Sequence, residues 1–134
     1  MVEAVPLAVL TFVLGTLVVA HAWAVVDTRN EASAAAHAGV RAFVEAPAGQ
    51  ARGAARAAAR AVLADSRSAE RSWQVRVIGR PERCRPVTVR VTGRVPGLGL
   101  PWLARLAVVP VDVSHTEVVD PYRSGLAGPA DCDG

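Results

Sequence analysis

The first part of the chain is apolar and free of charge over a length that matches a lipid bilayer. From Ala4 to Val26 the sequence contains no Arg, Lys, Asp or Glu. A helix rises about 1.5 Å per residue, so this stretch crosses a hydrocarbon layer roughly 30 Å thick. It lacks the polar stripe of a core helix, and no basic residue precedes it as in a secretory signal. The pattern predicts a membrane anchor, with a core helix and a cleaved signal as the alternatives.

Helical periodicity continues beyond the anchor. Small or apolar residues recur every three or four positions, and a polar row runs beside them at intervals of four. The pattern predicts an amphipathic continuation of the anchor that ends near Ala46 and Pro47. The apolar positions are Ala32, Ala36, Gly39, Val40 and Phe43, and the polar row is Ser33, His37, Arg41 and Glu45.

A second helix is predicted from Ala48 to about Ala64, where alanine fills most positions. Arg52, Arg56 and Arg60 fall four apart, so they share one face of this helix. One interpretation of the row is a basic patch for phospholipid headgroups. The other, which we favour, is a solvated face of a helix with good propensity.

Three later segments alternate apolar and polar residues: Trp73 to Val77, Val87 to Val95, and Val109 to Thr116. A period of two places one face of each strand against a core and the other in water. Three such strands predict an antiparallel sheet that the helices cover on one side. Pro110 places the third strand at an edge or gives it an irregular beginning. The predicted class is α+β, with a long transmembrane helix, its amphipathic continuation, a second helix and a small sheet.

These elements divide the chain into three regions. Residues 1–46 form the anchor and its continuation, residues 47–119 hold the second helix and the sheet, and residues 120–134 form an irregular tail rich in Gly, Pro and Asp. An apolar connection from Pro96 to Leu106, which includes Trp102, joins the second and third strands. It either caps one end of the core, which we favour, or touches the membrane surface or a neighbouring molecule.

Charge and motif content exclude several classes of function. The net charge is +3, and acidic residues are interleaved with fifteen basic residues, all of them Arg, so no nucleic-acid footprint is indicated. We expect His21, His37 and His115 to be isolated and structural, because none has a Cys or carboxylate at metal-ligand spacing. The sequence has no nucleophile elbow, phosphate-binding glycine loop or HExxH motif. We therefore predict no enzymatic activity, catalytic residue, cofactor, metal or small-molecule substrate.

The two cysteines, Cys84 and Cys132, are compatible with a pair of thiols or with one disulfide. A disulfide would close a long loop and tie the tail to the sheet. Export from the cytoplasm favours the disulfide, because disulfides persist in oxidising compartments.

The charges around the anchor bear on its orientation. No Arg precedes the anchor, whereas Arg29 and Arg41 follow it, so the positive-inside rule taken literally places the following domain in the cytoplasm. In that orientation the domain would be an Arg-rich module acting on lipid or nucleic acid. A basic leader upstream of Met1 would remove the conflict with an extracytoplasmic domain.

A recognisable order of features runs along nearly the whole chain. Val2-Glu3-Ala4 opens the apolar span, the segment from Asn30 to Pro47 and an Ala/Arg helix follow, and then come a strand preceded by a Cys and a final His-Thr-Glu with Pro-Tyr-Arg. This order resembles that of TadE-like proteins of actinobacteria, which are minor pilins or pseudopilins of the tight-adherence (Flp type IV) pilus and secretion system.

The resemblance implies a pilin-like fold and a non-enzymatic subunit or assembly factor. Such a protein crosses the cell membrane once and holds its C-terminal domain outside the cytoplasm. By position, Glu3 matches the acidic residue that follows a leader cut by a prepilin peptidase and that guides helix assembly. The implied partners are membrane lipid, other pilin-like subunits, pilus assembly proteins and the prepilin peptidase.

The expected helix-packing positions are the small residues Gly15, Ala20 and Ala24, which allow close approach of a neighbouring helix. The alternative function is that of a membrane-tethered accessory protein of another cell-envelope complex. In that alternative Glu3 simply lies in the headgroup layer and has no role in assembly.

Overall fold

The structure is a computed structural model that describes residues 4–66, 72–95 and 108–132. Its largest element is helix α1, Ala4–Glu45, which runs for 42 residues without a break. It ends just before Pro47, whose ring would clash with a further helical turn. The predicted anchor and its amphipathic continuation are therefore one helix. Glu3 and the apolar connection around Trp102 lie outside the described residues.

The second helix, α2, is Ala51–Ala64 and begins three residues later than predicted. Residues 48–50 form a turn instead, in which the N–H of Gln50 donates to the carbonyl of Pro47 at 2.9 Å. Pro47 and Gly49 both favour turn conformations over helix, which explains the later start.

Three strands form one antiparallel sheet: β1, Gln74–Ile78; β2, Pro86–Val95; and β3, Val109–Val118. Their order in the sheet is β1-β2-β3, so β3 is an edge strand, where Pro110 is tolerated because its missing N–H can face away from the ladder. The valines at odd positions of β2 are buried, and the even positions are more exposed. The predicted α+β class is confirmed, including the sheet with one wet face.

The core lies between this sheet and the two helices, and its helix–helix seam is made of very small side chains. Ala32, Ala36 and Gly39 of α1 are buried, as are Ala51, Ala55 and Ala59 of α2. A Cβ atom at Gly39 would lie 3.1 Å from the carbonyl oxygen of Ala55, 3.1 Å from Cγ1 of Val89 and 3.3 Å from Cβ of Ala59. The small residues thus let α1 approach α2 and the sheet at one point. The larger core side chains, such as Phe43, lie beside this seam.

The tail beyond Asp120 contains only turns and one isolated bridge over its described residues 120–132. It is nevertheless attached to the segment between β1 and β2. The N–H of Arg83 donates to the carbonyl of Ala127 at 2.8 Å, and the N–H of Cys84 donates to the carbonyl of Val119 at 2.9 Å. These bonds bring the C-terminal part of the chain back to the beginning of β2.

Candidate membrane-anchoring and assembly surface

Helix α1 divides into two parts at its first buried residue, Thr28. We call residues 4–27 the bare half, because other parts of the domain leave it exposed, and residues 28–45 the covered half. Among the described residues it is the one helix long and apolar enough to cross a membrane, and no residue in its most apolar window is buried. Large hydrophobic side chains are exposed all round the bare half, and Phe12 is 76% exposed. An exposed apolar surface of this size is typical of a contact with a membrane or with other protein. The exposed large residues are Val5, Leu7, Val9, Leu10, Phe12, Val13, Leu14, Val18, Val19, Trp23 and Val26.

The border between the two halves coincides with the first charged side chains. The first buried residue along α1 is Thr28, which lies between Asp27 and Arg29. From there to Phe43 the helix packs against α2 and the sheet. The charge-free stretch thus ends where the rest of the domain begins to bury α1. The same continuous helix contains both the exposed and the buried part.

Polar side chains inside the bare half bond to their own helix. The hydroxyl of Thr11 donates to the carbonyl of Leu7 at 2.9 Å, and that of Thr16 donates to the carbonyl of Phe12 at 2.9 Å. Both hydroxyls are therefore satisfied without water, as a lipid environment requires. Trp23 is 69% exposed near the border, a position suited to the headgroup region, and His21 is half-buried about two turns before Thr28.

The three predicted helix-packing residues do not share one face. Successive residues of a helix are rotated by about 100° around its axis. Ala20 and Ala24 therefore lie on one face, whereas Gly15 lies about 140° around the axis from Ala20. Thr28, which is buried, follows Ala24 by four residues on the same face. The face of Ala20 and Ala24 therefore points to the side of α1 on which the domain packs. The face of Gly15 also carries small residues, and no described side chain approaches within 4 Å of a Cβ placed there. The small residues within about 20° of it are Ala4, Ala8 and Ala22.

The structure joins Cys84 and Cys132 in a disulfide, with their Cα atoms 5.2 Å apart. Of the two alternatives left open by the sequence, the structure thus contains the disulfide. It links the residue just before β2 to the tail across a sequence separation of 48 residues. Cys84 adopts a left-handed backbone conformation with φ 60°, which turns the chain into β2.

A second attachment of the tail was not predicted. The guanidinium of Arg123 donates to the carbonyls of Glu45 and Ala46, the latter at 2.9 Å. These carbonyls lie at the end of α1, where the last helical oxygens lack partners and the helix dipole is negative. The Nε of Arg83 in turn donates to the carbonyl of Arg123 at 2.9 Å. The tail therefore caps the covered end of the long helix.

The expectation that all three histidines are isolated is wrong for two of them. His37 on α1 and His115 on β3 lie together, with Nδ1 of His37 3.1 Å from Nε2 of His115. Periodicity placed His37 on a polar row and His115 in phase with inward valines, but neither pattern shows which helix covers which strand. Within the described residues no group of three or more His, Cys, Asp or Glu side chains could hold a metal ion.

One of the three α2 arginines also has a structural partner. Arg52 donates to the carbonyl of Gly79 at 2.7 Å, which ties the exposed face of α2 to the turn after β1. Gly79 has φ 126°, and a Cβ there would lie 2.8 Å from the carbonyl oxygen of Pro86. Glycine is therefore required at this turn.

An ion pair on the wet face of the sheet has a measurable signature. Arg90 of β2 holds Asp112 of β3 through both carboxylate oxygens, with Nε at 2.7 Å from Oδ1. These hydrogen bonds lower the pKa of Asp112 against a smaller opposing effect of desolvation, and the positive charge of Arg90 lowers it further. The same hydrogen bonds raise the pKa of Arg90. Because the folded-state pKa of Asp112 is depressed, the pair stabilises the fold above about pH 4 and the contribution disappears as pH falls through that pKa.

We expect Asp112→Asn to lower the denaturant midpoint of unfolding at pH 7 and to leave it unchanged in strong acid. The difference between wild type and variant should begin to shrink below about pH 4, and the two should converge once the pH lies below the depressed pKa of Asp112, where the wild-type carboxyl is protonated as well. The measurement is a series of urea unfolding curves from pH 7 to pH 2 at low salt, since salt screens exposed pairs. Glu117→Gln is the control, because Glu117 lies on the same strand and has no ion pair among the described residues. A wild-type–variant difference that persisted at pH 2 would contradict this account.

Comparison of the chain with known protein families, curated proteins and solved structures finds no match in any of the three.

Proposed function

We propose that this protein is a non-enzymatic, pilin-like subunit or assembly factor of a tight-adherence type pilus or secretion apparatus. It would cross the cell membrane once, with its C-terminal domain outside the cytoplasm. Lipid would cover the bare half of α1 before assembly, and helices of neighbouring subunits or assembly proteins would cover it afterwards.

The observation that carries the proposal is the division of α1. A simple anchor needs only a bilayer-length apolar helix, and a flexible linker would be enough to connect it to its domain. Here the same helix continues through the border at Thr28 and forms one wall of the core as far as Phe43. A force or displacement applied to the bare half is therefore passed directly to the domain. This rigid coupling is useful to a subunit that is positioned through its membrane helix.

The two faces of small residues support contact with more than one neighbouring helix. Without a hydrophobic driving force in lipid, helices associate through close backbone approach at small side chains. Gly15 lies on one face, and Ala20 and Ala24 lie on another, below the domain. A subunit packed between two neighbours would use both faces.

The disulfide supports the extracytoplasmic orientation. A bond between Cys84 and Cys132 persists in an oxidising compartment and is rare in the reducing cytoplasm. This chemistry argues against the orientation that the literal charge rule gives for Arg29 and Arg41. A reporter fused after Gly134 tests it: a fusion active in the cytoplasm would rule out the proposal and its envelope alternative together.

The decisive variant for assembly is Glu3→Gln, which removes the negative charge and keeps the size of the side chain. We expect it to insert into the membrane like the wild type but to lose at least about tenfold in recovery with the polytopic assembly proteins and other subunits of the machine. The physical reason is that a carboxylate at the edge of the hydrocarbon layer gains most from a cationic partner in a neighbouring subunit. The measurement is affinity purification from solubilised membranes of the native host, followed by quantification of co-purified proteins.

Glu117→Gln is the matched control, since it makes the same chemical change at an exposed residue of the domain and should retain the partners. Membrane fractionation of both variants shows whether insertion is intact. If Glu3→Gln co-purified with the same proteins as the wild type, the assembly role would be refuted. The protein would then be better described as a membrane-tethered accessory protein of another envelope complex. In that case Glu3 would lie in the headgroup layer without a role in assembly.

A further inference from the structure

The pair of histidines between α1 and β3 has the geometry of a metal-binding site. His37 is exposed on the helix, and His115 is half-buried on the edge strand, 78 residues later in the chain. Their facing nitrogens, Nδ1 of His37 and Nε2 of His115, are 3.1 Å apart, and the ring planes meet at 74°. We infer that these two nitrogens bind a divalent transition-metal ion of the zinc class. The ion would link α1 to β3, the edge strand of the sheet.

The distance between the nitrogens fits a shared ion. In a tetrahedral site with bonds of about 2.0–2.1 Å, two imidazole nitrogens lie roughly 3.3–3.4 Å apart. The observed 3.1 Å differs from this by a few tenths of an ångström, so small ring rotations are enough to admit the ion. Between two neutral rings, one nitrogen donates its proton and the other accepts it. For both facing nitrogens to offer lone pairs to the metal, the donating ring exchanges its proton through water to its other ring nitrogen, so both imidazoles stay neutral.

Both rings stand on backbone that is fixed by the core. His37 follows the buried Ala36 and precedes the buried Val40 on the packed part of α1. His115 is paired in the ladder with Val89 of β2, which is fully buried. Two ligands on rigid elements are preorganised, because little conformational entropy remains to be lost when the ion binds.

The ligand chemistry defines the class of ion. Neutral imidazole suits zinc, copper and nickel, whereas calcium and magnesium require oxygen ligands. No third His, Cys, Asp or Glu completes a three-ligand group in the described part of the chain. Water therefore fills the remaining coordination positions on the exposed side of His37. Glu117 lies two residues beyond His115 on the same side of β3, and its negative charge favours a cation nearby.

Binding of the ion to the folded chain alone must stabilise the fold. The test uses the full chain in detergent micelles, stripped with a chelator and then titrated with zinc chloride or, as the ionic control, magnesium chloride. At a zinc concentration ten times the dissociation constant, we expect the thermal midpoint to rise by about 5 °C, and a chelator should reverse the rise. Magnesium should leave the midpoint unchanged.

His37→Gln and His115→Gln should each abolish the zinc-dependent shift. His21→Gln is the matched control, because His21 is the third histidine and lies 16 residues before His37 on the same helix, and it should retain the full shift. Circular dichroism without zinc shows whether each variant is folded. A wild type without any shift at millimolar zinc, or a shift retained in either of the first two variants, would overturn the inference.

A measurement on the wild type alone keeps the test independent of the variants. Zinc X-ray absorption of the loaded protein should show two imidazole nitrogens and oxygen ligands at about 2.0–2.2 Å. A spectrum with no imidazole scattering, or with sulfur ligands, would refute the site. Neither outcome bears on the membrane role proposed above, since the histidine pair lies in the covered half of the molecule.

Discussion

Truncation of Phe43 to alanine is expected to lower the free energy of unfolding by about 3–5 kcal/mol. Phe43 is only 1% exposed and is the largest of the fully buried side chains. It lies near the end of α1, where the helix packs against the sheet, and small alanines make up the seam beside it. Small neighbours cannot move far enough to refill the space of a phenyl ring, so most of the cavity should remain. A loss of this size approaches the whole stability of a typical small domain.

The chain provides its own matched control, because it contains just two phenylalanines. Phe12→Ala makes the identical change in the bare half of α1, where the side chain is exposed and makes no core contact. Guanidinium unfolding of both variants in the same micelles, followed by tryptophan fluorescence, should show a large decrease for Phe43→Ala and almost none for Phe12→Ala. Equal losses would show that the first half of α1 is packed like a protein interior, and the division of the helix would be wrong.

The elements could be predicted from the sequence because each has a strong pattern of apolar and polar positions. The charge-free run, the helical spacing after it and the alternating valines of β2 each reflect one environment: a helix that no other part of the domain covers, a helix face against a core, and a sheet with one buried face. Errors arose at the ends, where turn chemistry competes with propensity. Residues 48–50 were assigned to α2 but form a turn, because Pro47 and Gly49 favour one.

Contacts between distant elements could not be predicted from such patterns. The pairing of His37 with His115 depends on α1 lying against β3, and a hydrophobic period shows only that a face is buried, not what buries it. The capping of α1 by Arg123 depends on the path of an irregular tail, for which there is no period at all. The separation of Gly15 from Ala20 and Ala24 differs from these contacts, because it follows from the sequence positions and the 100° turn per helical residue alone.

Removal of the disulfide is expected to destabilise the domain by about 2–4 kcal/mol. Cys84→Ser with Cys132→Ser, or reduction of the wild type, opens a loop with a sequence separation of 48 residues and so increases the entropy of the unfolded chain. The measurement is guanidinium unfolding of the oxidised wild type, the reduced wild type and the double variant. The last two should agree, because the serines are nearly isosteric with the thiols and the bond itself is what is lost.

The tail is attached by the disulfide and by non-covalent contacts, and the disulfide variant should show how far the non-covalent contacts depend on the bond. Without the bond, Arg123 still has the carbonyls of Glu45 and Ala46 to bind, but the tail must now be ordered by hydrogen bonds and by the packing of the partly buried Leu126. Hydrogen bonds of this kind contribute about 1 kcal/mol each, which is less than the free-energy cost of ordering several residues.

We therefore expect limited proteolysis to cut the tail between residues 120 and 132 in the double variant and to spare it in the oxidised wild type. Arg123→Ala with the disulfide intact is the control and should remain resistant, because the covalent bond alone keeps the tail close to the beginning of β2. Equal resistance in the double variant would mean that the hydrogen bonds suffice to hold the tail, and that the disulfide adds no order to the folded state.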